Sequence, residues 1–142
     1  MKKVILITKI VLIYFLFTQN LFTASSNYFN EGENLFNKKQ FEKSKILFEK
    51  DLIFNPKSTK SYLYLAKIFS FNDNEEEEKI NLDNVLLIDP DNDEAIYLLT
   101  LLKIKRSDYE GAKELIEKFD LICNSFCSKS AELKNKLDKI TP

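Results

Sequence analysis

The chain reads as an all-α protein, a short helical-hairpin solenoid of about three repeats closed by a C-terminal capping helix. Three observations carry that expectation. A proline recurs with the same surroundings: Phe54-Asn55-Pro56 closes one apolar helical stretch and Ile88-Asp89-Pro90 closes the next, 34 residues later, an interval that marks helical repeat arrays. Only two glycines and three prolines occur in 142 residues, which leaves little material for β-turns or long loops. Apolar residues recur at i, i+4 and i+7 along most of the chain, the spacing of one helix face.

Residues 1–26 stand apart. Lys2, Lys3 and Lys9 precede an apolar run from Ile10 to Phe17, and the small residues Thr23, Ala24, Ser25 and Ser26 follow. This pattern resembles a secretory signal peptide. The uncharged run is shorter than the roughly 20 apolar residues a membrane-spanning helix needs, so cleavage is the expectation and an uncleaved anchor the alternative. Removing the segment takes away three lysines and no acid, moving the formal net charge from −1 to −4. The remaining domain, 27–142, interleaves lysine with glutamate and aspartate and shows no basic face, which argues against nucleic acid as a partner. The chain has no histidine and so lacks the commonest general base and metal ligand.

Tyr28 to Asn55 reads as two helices meeting near Asn37-Lys38-Lys39-Gln40. The first carries Tyr28, Gly32 and Leu35 on one face, and the second presents Phe41, Ser44 and Phe48. Gly32 opposite Ser44 would let the two backbones approach closely. A second pair opens after Pro56 with Tyr62, Leu65, Ala66 and Phe69 on one face, and closes with Leu82, Val85, Leu86 and Pro90. The order aromatic, small, large, small, aromatic, proline, filled by Tyr28, Gly32, Leu35, Ser44, Phe48 and Pro56, resembles the tetratricopeptide repeat. Asp51 departs from it, standing where that family usually has a small apolar residue. So does Glu78, which falls on the expected inner face. Burying an unpaired carboxylate is costly, so the helix there is expected to rotate, to start later, or to leave Glu78 at a wet edge. The run Glu75 to Glu78 itself reads as a solvated first turn, where negative charge suits the helix dipole.

Asp91, Asn92 and Asp93 supply caps for a third pair, whose first helix runs from about Glu94 to Lys105. Ser107 with Glu110 reads as a capping box opening the second, which carries Tyr109, Ala112, Ile116 and Phe119. Counting 34 on from Pro90 reaches Asn124, so the closing proline is absent while the phase is kept. Lys103 also departs from the apolar pattern. From 128 to 140, Leu133, Leu137 and Ile140 form one stripe, opposite Lys129, Glu132, Lys136 and Lys139. This reads as the helix that closes the last apolar face of the stack.

No glycine-rich phosphate loop, nucleophile elbow or metal-ligand cluster is present, so the sequence points to no enzyme, cofactor or metal. Cys123 and Cys127 are the only cysteines. Four residues apart in a helical turn, they lie within reach of a disulfide, which in an exported protein would staple the cap; free buried thiols are the alternative. The spacing is not that of a thioredoxin-type redox motif, and two thiolates without histidine do not make a zinc site.

The resemblance also implies a binding surface, because tetratricopeptide arrays line a concave groove with the first helix of each unit. Here that lining would be Phe29, Glu33 and Phe36, then Leu63 and Lys67, then Tyr97, Leu101 and Ile104. Family members that clamp the C-terminal carboxylate of heat-shock chaperones use lysines and asparagines there. Phe29, Glu33 and Leu63 stand in those places, which disfavours that ligand. The first helix of the third unit is apolar nearly all round and is therefore either buried on both sides or half covered by a partner. The resulting expectation is a non-enzymatic scaffold or adaptor of the bacterial cell envelope, periplasmic or secreted, that binds an extended or helical protein segment. Membrane attachment enters only if the N-terminal segment is retained. Two alternatives stand beside it: a structural oligomer associating through the third unit, and a thiol-active periplasmic assembly factor. The bacterial assignment rests on the short signal and on a composition rich in Lys, Asn and Ile with a lone Arg106.

Overall fold

A computed structural model describes residues 25–140. The segment read as a signal lies, up to residue 24, outside the described residues. Seven α-helices and one 3-10 turn make up the secondary structure of the described residues. They are α1 (Ser25–Asn37), α2 (Phe41–Phe54), α3 (Thr59–Phe71), α4 (Glu75–Ile88), α5 (Asp93–Lys105), α6 (Tyr109–Ile122), the turn Cys127–Lys129, and α7 (Ser130–Asp138). The expected all-α hairpin architecture is what is found. The chain divides into two compact units, one ending at Pro56 and the other beginning at Lys57.

The turns inside the three hairpins share one design. Lys39, Asp73 and Ser107, spaced 34 apart, each adopt a left-handed conformation with φ of 58°, 54° and 60°. In each turn the next residue's N–H reaches back five positions, from Gln40 to Leu35 O, Asn74 to Phe69 O and Asp108 to Lys103 O, all at 2.9 Å. The left-handed residue itself donates three positions back, to Phe36 O, Ser70 O and Ile104 O. This double bond pattern satisfies carbonyls that a helix end leaves open. It also moves the cap of α6: Ser107 is consumed by the turn, and Asp108 accepts from the Gly111 N–H instead. Asn92 caps α5 by accepting from the Ala95 N–H at 3.0 Å.

In the first unit, α1 and α2 pack around Phe48 and Ser44, both fully buried. Gly32 makes this approach possible, because a Cβ at that position would stand 2.9 Å from Phe48 Cε1. Asp51, the departure noted above, is also buried, and no buried side-chain polar atom among the described residues lacks a hydrogen-bond partner.

In the second unit one apolar cluster joins α3, α4 and α5 through Leu63, Ala66, Leu82, Val85, Ala95, Leu99 and Leu102. A second joins α5, α6 and α7 through Ile96, Tyr97, Ile116, Phe119 and Leu133. Helix α5 is therefore buried on both sides, which accounts for its apolar circumference. Thr100 sits in this interior with its hydroxyl donating to Ile96 O at 2.7 Å. The closing helix is shorter than the expected 128–140 because its first turn is taken by the 3-10 segment. Its stripe is graded: Leu133 is fully buried, Leu137 half-buried and Ile140 exposed.

Glu78 overturns the expectation set for it. Helix α4 starts at Glu75 with Asn74 as its cap, and Glu78 is only 5% exposed. Burial pushes its carboxyl above the usual range, while the Ser70 hydroxyl and the charge of Lys105 work in the opposite direction. The carboxylate is thus buried but partnered, which the helix tolerates without rotating.

Candidate functional site

The residues expected to line a groove fall into different environments. In the first unit Phe29, Glu33 and Phe36 are all half-buried on α1. The Phe29 ring leans on Phe48, 5.7 Å between centroids, and Phe36 on Phe41 at 5.2 Å. In the second unit Leu63 and Tyr97 are 7% and 9% exposed and belong to the helix packing. They offer almost no surface to a partner, because α3 and α5 turn these positions into the two apolar clusters.

Lys67, Leu101 and Ile104 keep partial exposure. The Lys67 ammonium lies 2.6 Å from Glu94 Oε1 and 4.9 Å from the centroid of the Tyr64 ring. This cation is spoken for within the chain, so an anionic ligand would have to compete with Glu94 for it.

Tyr97 is covered by the C-terminal segment. Its ring stands 5.9 Å from that of Phe126, its hydroxyl donates to Glu132 Oε1 at 3.1 Å, and the Lys129 ammonium lies 5.9 Å from its centroid. Burial, with the Glu132 carboxylate beside it, raises the Tyr97 phenol above its ordinary value. The loop that carries Phe126 is closed by Cys123 and Cys127, whose sulfurs are 2.14 Å apart, at disulfide distance. Within it the N–H groups of Asn124, Ser125 and Phe126 all donate to one oxygen, Asp93 Oδ2, at 2.9, 2.6 and 3.0 Å. Burial alone would raise the Asp93 carboxyl, but these bonds and one from the Glu94 N–H outweigh it and hold it below the usual range.

A charged network occupies the other end of the same unit. Lys105 meets Asp73 at 2.9 Å and Glu75 at 3.1 Å, while Arg106 reaches Glu75 and Glu76, each at 3.1 Å. The acidic first turn of α4 is thus partly claimed by the end of α5. Among the described residues no group of three or more cysteines and carboxylates is placed to hold a metal ion. No described helix is long and apolar enough to cross a membrane.

The three most exposed large apolar side chains among the described residues lie elsewhere, on the second helix of each hairpin. Ile53, Leu87 and Leu121 are 74%, 83% and 86% exposed and fall 34 residues apart. Sequence reasoning passed over them although the same period that located the prolines locates these residues too. Within the second unit, Lys118 of α6 donates to Pro90 O at 2.6 Å, which ties α6 to the residues that follow α4.

No family model and no curated protein matches the sequence. The solved structures answer differently. The TPR2B domain of yeast Sti1, solved in a complex with pHsp70, aligns over 82% of this chain and 98% of its own, with a TM-score of 0.74 and 16% identity. The chain has the tetratricopeptide fold. The Arabidopsis OM64 TPR domain matches over 83% of this chain and 97% of its own, with a TM-score of 0.74 at 17% identity. The Sgt2 TPR domain from Aspergillus fumigatus gives 0.69 at 22% identity, covering 82% of this chain and 81% of that one. At these identities the tetratricopeptide likeness describes backbone architecture.

Proposed function

We propose that this protein is a non-enzymatic scaffold that holds a segment of a partner protein against the first helices of its hairpins. The observation that carries this reading is the half-exposed pair Leu101 and Ile104 on α5, within the second unit. These are large apolar side chains kept at the surface of a helix that packs Ala95, Ile96, Tyr97, Leu99 and Leu102 away. The neighbour solved with pHsp70 supports a protein partner. The chemistry of this chain favours a partner segment with apolar side chains over a carboxylate terminus, since Glu33 is acidic and Lys67 is already paired with Glu94. Export through residues 1–26 into a bacterial envelope, with Cys123 and Cys127 oxidised there, belongs to the same proposal. The export reading rests on the sequence pattern alone; the sulfurs at disulfide distance support the oxidised pair.

The test is in-cell crosslinking followed by affinity purification, comparing wild type with two folded variants. Leu101→Asp with Ile104→Asp alters the first-helix surface, and Leu87→Asp with Leu121→Asp alters the second-helix surface. Both are checked by circular dichroism. Partners lost only in the first variant support the proposal. Partners lost only in the second move the site to the second helices, and a partner list unchanged in both sinks the groove reading.

A further inference from the structure

The loop between α6 and α7 is built around two residues far apart in sequence. Its three consecutive N–H groups converge on Asp93, the first residue of α5, 31 to 33 positions earlier. Successive backbone N–H groups form such a concave anion nest only when the loop is held in one conformation. The bond between Cys123 and Cys127 ties the two ends of that loop together. The same loop delivers Phe126 onto Tyr97 and leads into Lys129 and Glu132, which complete the cover over that ring. Farther along, the cap has anchors of its own: Leu133 is fully buried, and Asp120 holds Ser130 and Lys134. The part of the cover that Phe126 and Lys129 supply can therefore loosen while α7, with Glu132 and Leu133, stays docked.

We propose that Cys123 and Cys127 form a redox-controlled latch: reduction by a dithiol frees the loop 124–129 from Asp93 and uncovers Tyr97 beside Leu101 for a partner segment. Cys127 is exposed and Cys123 half-buried, so the reductant's thiolate attacks the Cys127 sulfur and Cys123 leaves as a thiolate that takes up a proton. The second thiol of the reductant then attacks the mixed disulfide and releases Cys127. Two electrons and two protons pass to the protein, and the dithiol becomes a disulfide. With its ends untied, the loop gains conformational freedom and the three N–H groups no longer converge. The partner-binding consequence rests on the scaffold reading above, whereas the latch does not.

Coupling between two sites is reciprocal, so Asp93 must stabilise the oxidised pair by the same factor that oxidation stabilises the Asp93 contact. The experiment equilibrates the purified full chain with dithiothreitol buffers of graded ratio and reads the oxidised fraction by thiol alkylation and mass. Asp93→Ala is expected to shift the equilibrium about five- to tenfold toward the reduced form, with Asp93→Asn in between. In wild type, reduction should speed amide exchange at 124–129 and shift the Tyr97 ring resonances, leaving exchange in Thr59–Ile88 unchanged. An equilibrium identical in wild type and Asp93→Ala overturns the latch, as does unchanged exchange at 124–129 on reduction. Should Asp93→Ala fail to fold, the exchange of reduced wild type decides alone. None of these readouts needs a partner, so failure to find one counts against the scaffold and not against the latch.

Discussion

The Ser44 hydroxyl donates to the Gly32 carbonyl at 2.8 Å across the buried contact of α1 with α2. Two small residues are what allow it, and the Phe48 ring closes the remaining space.

Gly32→Ala should therefore destabilise the first unit. The added methyl meets a ring that is fully buried and cannot swing aside. Overpacking of about 1–3 kcal/mol outweighs the helix-propensity gain of about 1 kcal/mol. Gly111→Ala should cost less, since its new Cβ would meet the flexible end of Lys103 and the exposed capping carboxylate of Asp108 and no buried ring. Thermal denaturation of the two variants side by side checks the contrast; equal shifts of one sign would refute it.

Glu78→Gln should stabilise the protein at neutral pH. Burial raises the carboxyl's folded-state value, with Ser70 and Lys105 opposing. Its contribution to stability is complete below the unfolded value of about 4.3 and is lost as the pH rises through the folded one. The amide removes that loss, so the gain should be present near pH 7 and vanish toward pH 4. Urea melts of both proteins at the two pH values test this, and a gain that persists in acid would contradict it.

Acid should loosen the loop at the cap. The Asp93 carboxyl is depressed by the N–H groups of Asn124, Phe126 and Ser125 against the cost of its burial. Its contribution is present above the unfolded value of about 3.9 and is lost as the pH falls through the lower folded value. Amide exchange at 124–126 should accelerate in that range after correction for intrinsic rates. Asp93→Asn should show no such acid transition.

Lys39→Gly should raise stability. A lysine in the left-handed region costs about 1–2 kcal/mol, and glycine removes this while giving back about 0.4–1 kcal/mol through the freer unfolded chain. The net gain is about 0.5 kcal/mol. At Asp73 the gain should be smaller, because aspartate tolerates that conformation better. Chemical denaturation resolves the order of the two, and a larger gain at Asp73 would count against the argument.

Much of the fold was legible because its signals are local. Pro56 and Pro90 fixed the period, and Gly32 with Ser44 announced the close approach of α1 and α2. The cap of α6 was misplaced by one residue because Ser107 and Asp108 are both good capping residues, and only the backbone shows that the turn consumes the first. The inward face was less legible. Leu63 and Tyr97 share helix register with Lys67 and Leu101, yet α4 and α5 cover Leu63, and α6 and α7 cover Tyr97, more fully than the latter pair is covered. Register places a residue on a face, and only the neighbouring helix decides whether that face is covered. Nothing in the spacing of Cys123 and Cys127 pointed to Asp93, because the contact joins backbone N–H groups that any sequence supplies.

Arg106, the single arginine, spans from the end of α5 to the start of α4. With Lys105 and the Lys67–Glu94 pair, it gives the coupling between the second and third hairpins an ionic part beside the apolar cluster they share. In repeat proteins such nearest-neighbour terms set how far unfolding of one unit obliges the next to follow. Salt screens exposed ion pairs and leaves apolar contacts in place. Ionic strength thereby becomes a control on cooperativity: as it rises, these two hairpins should melt less as one body and more as separate steps, broadening the transition ahead of any large change in its midpoint.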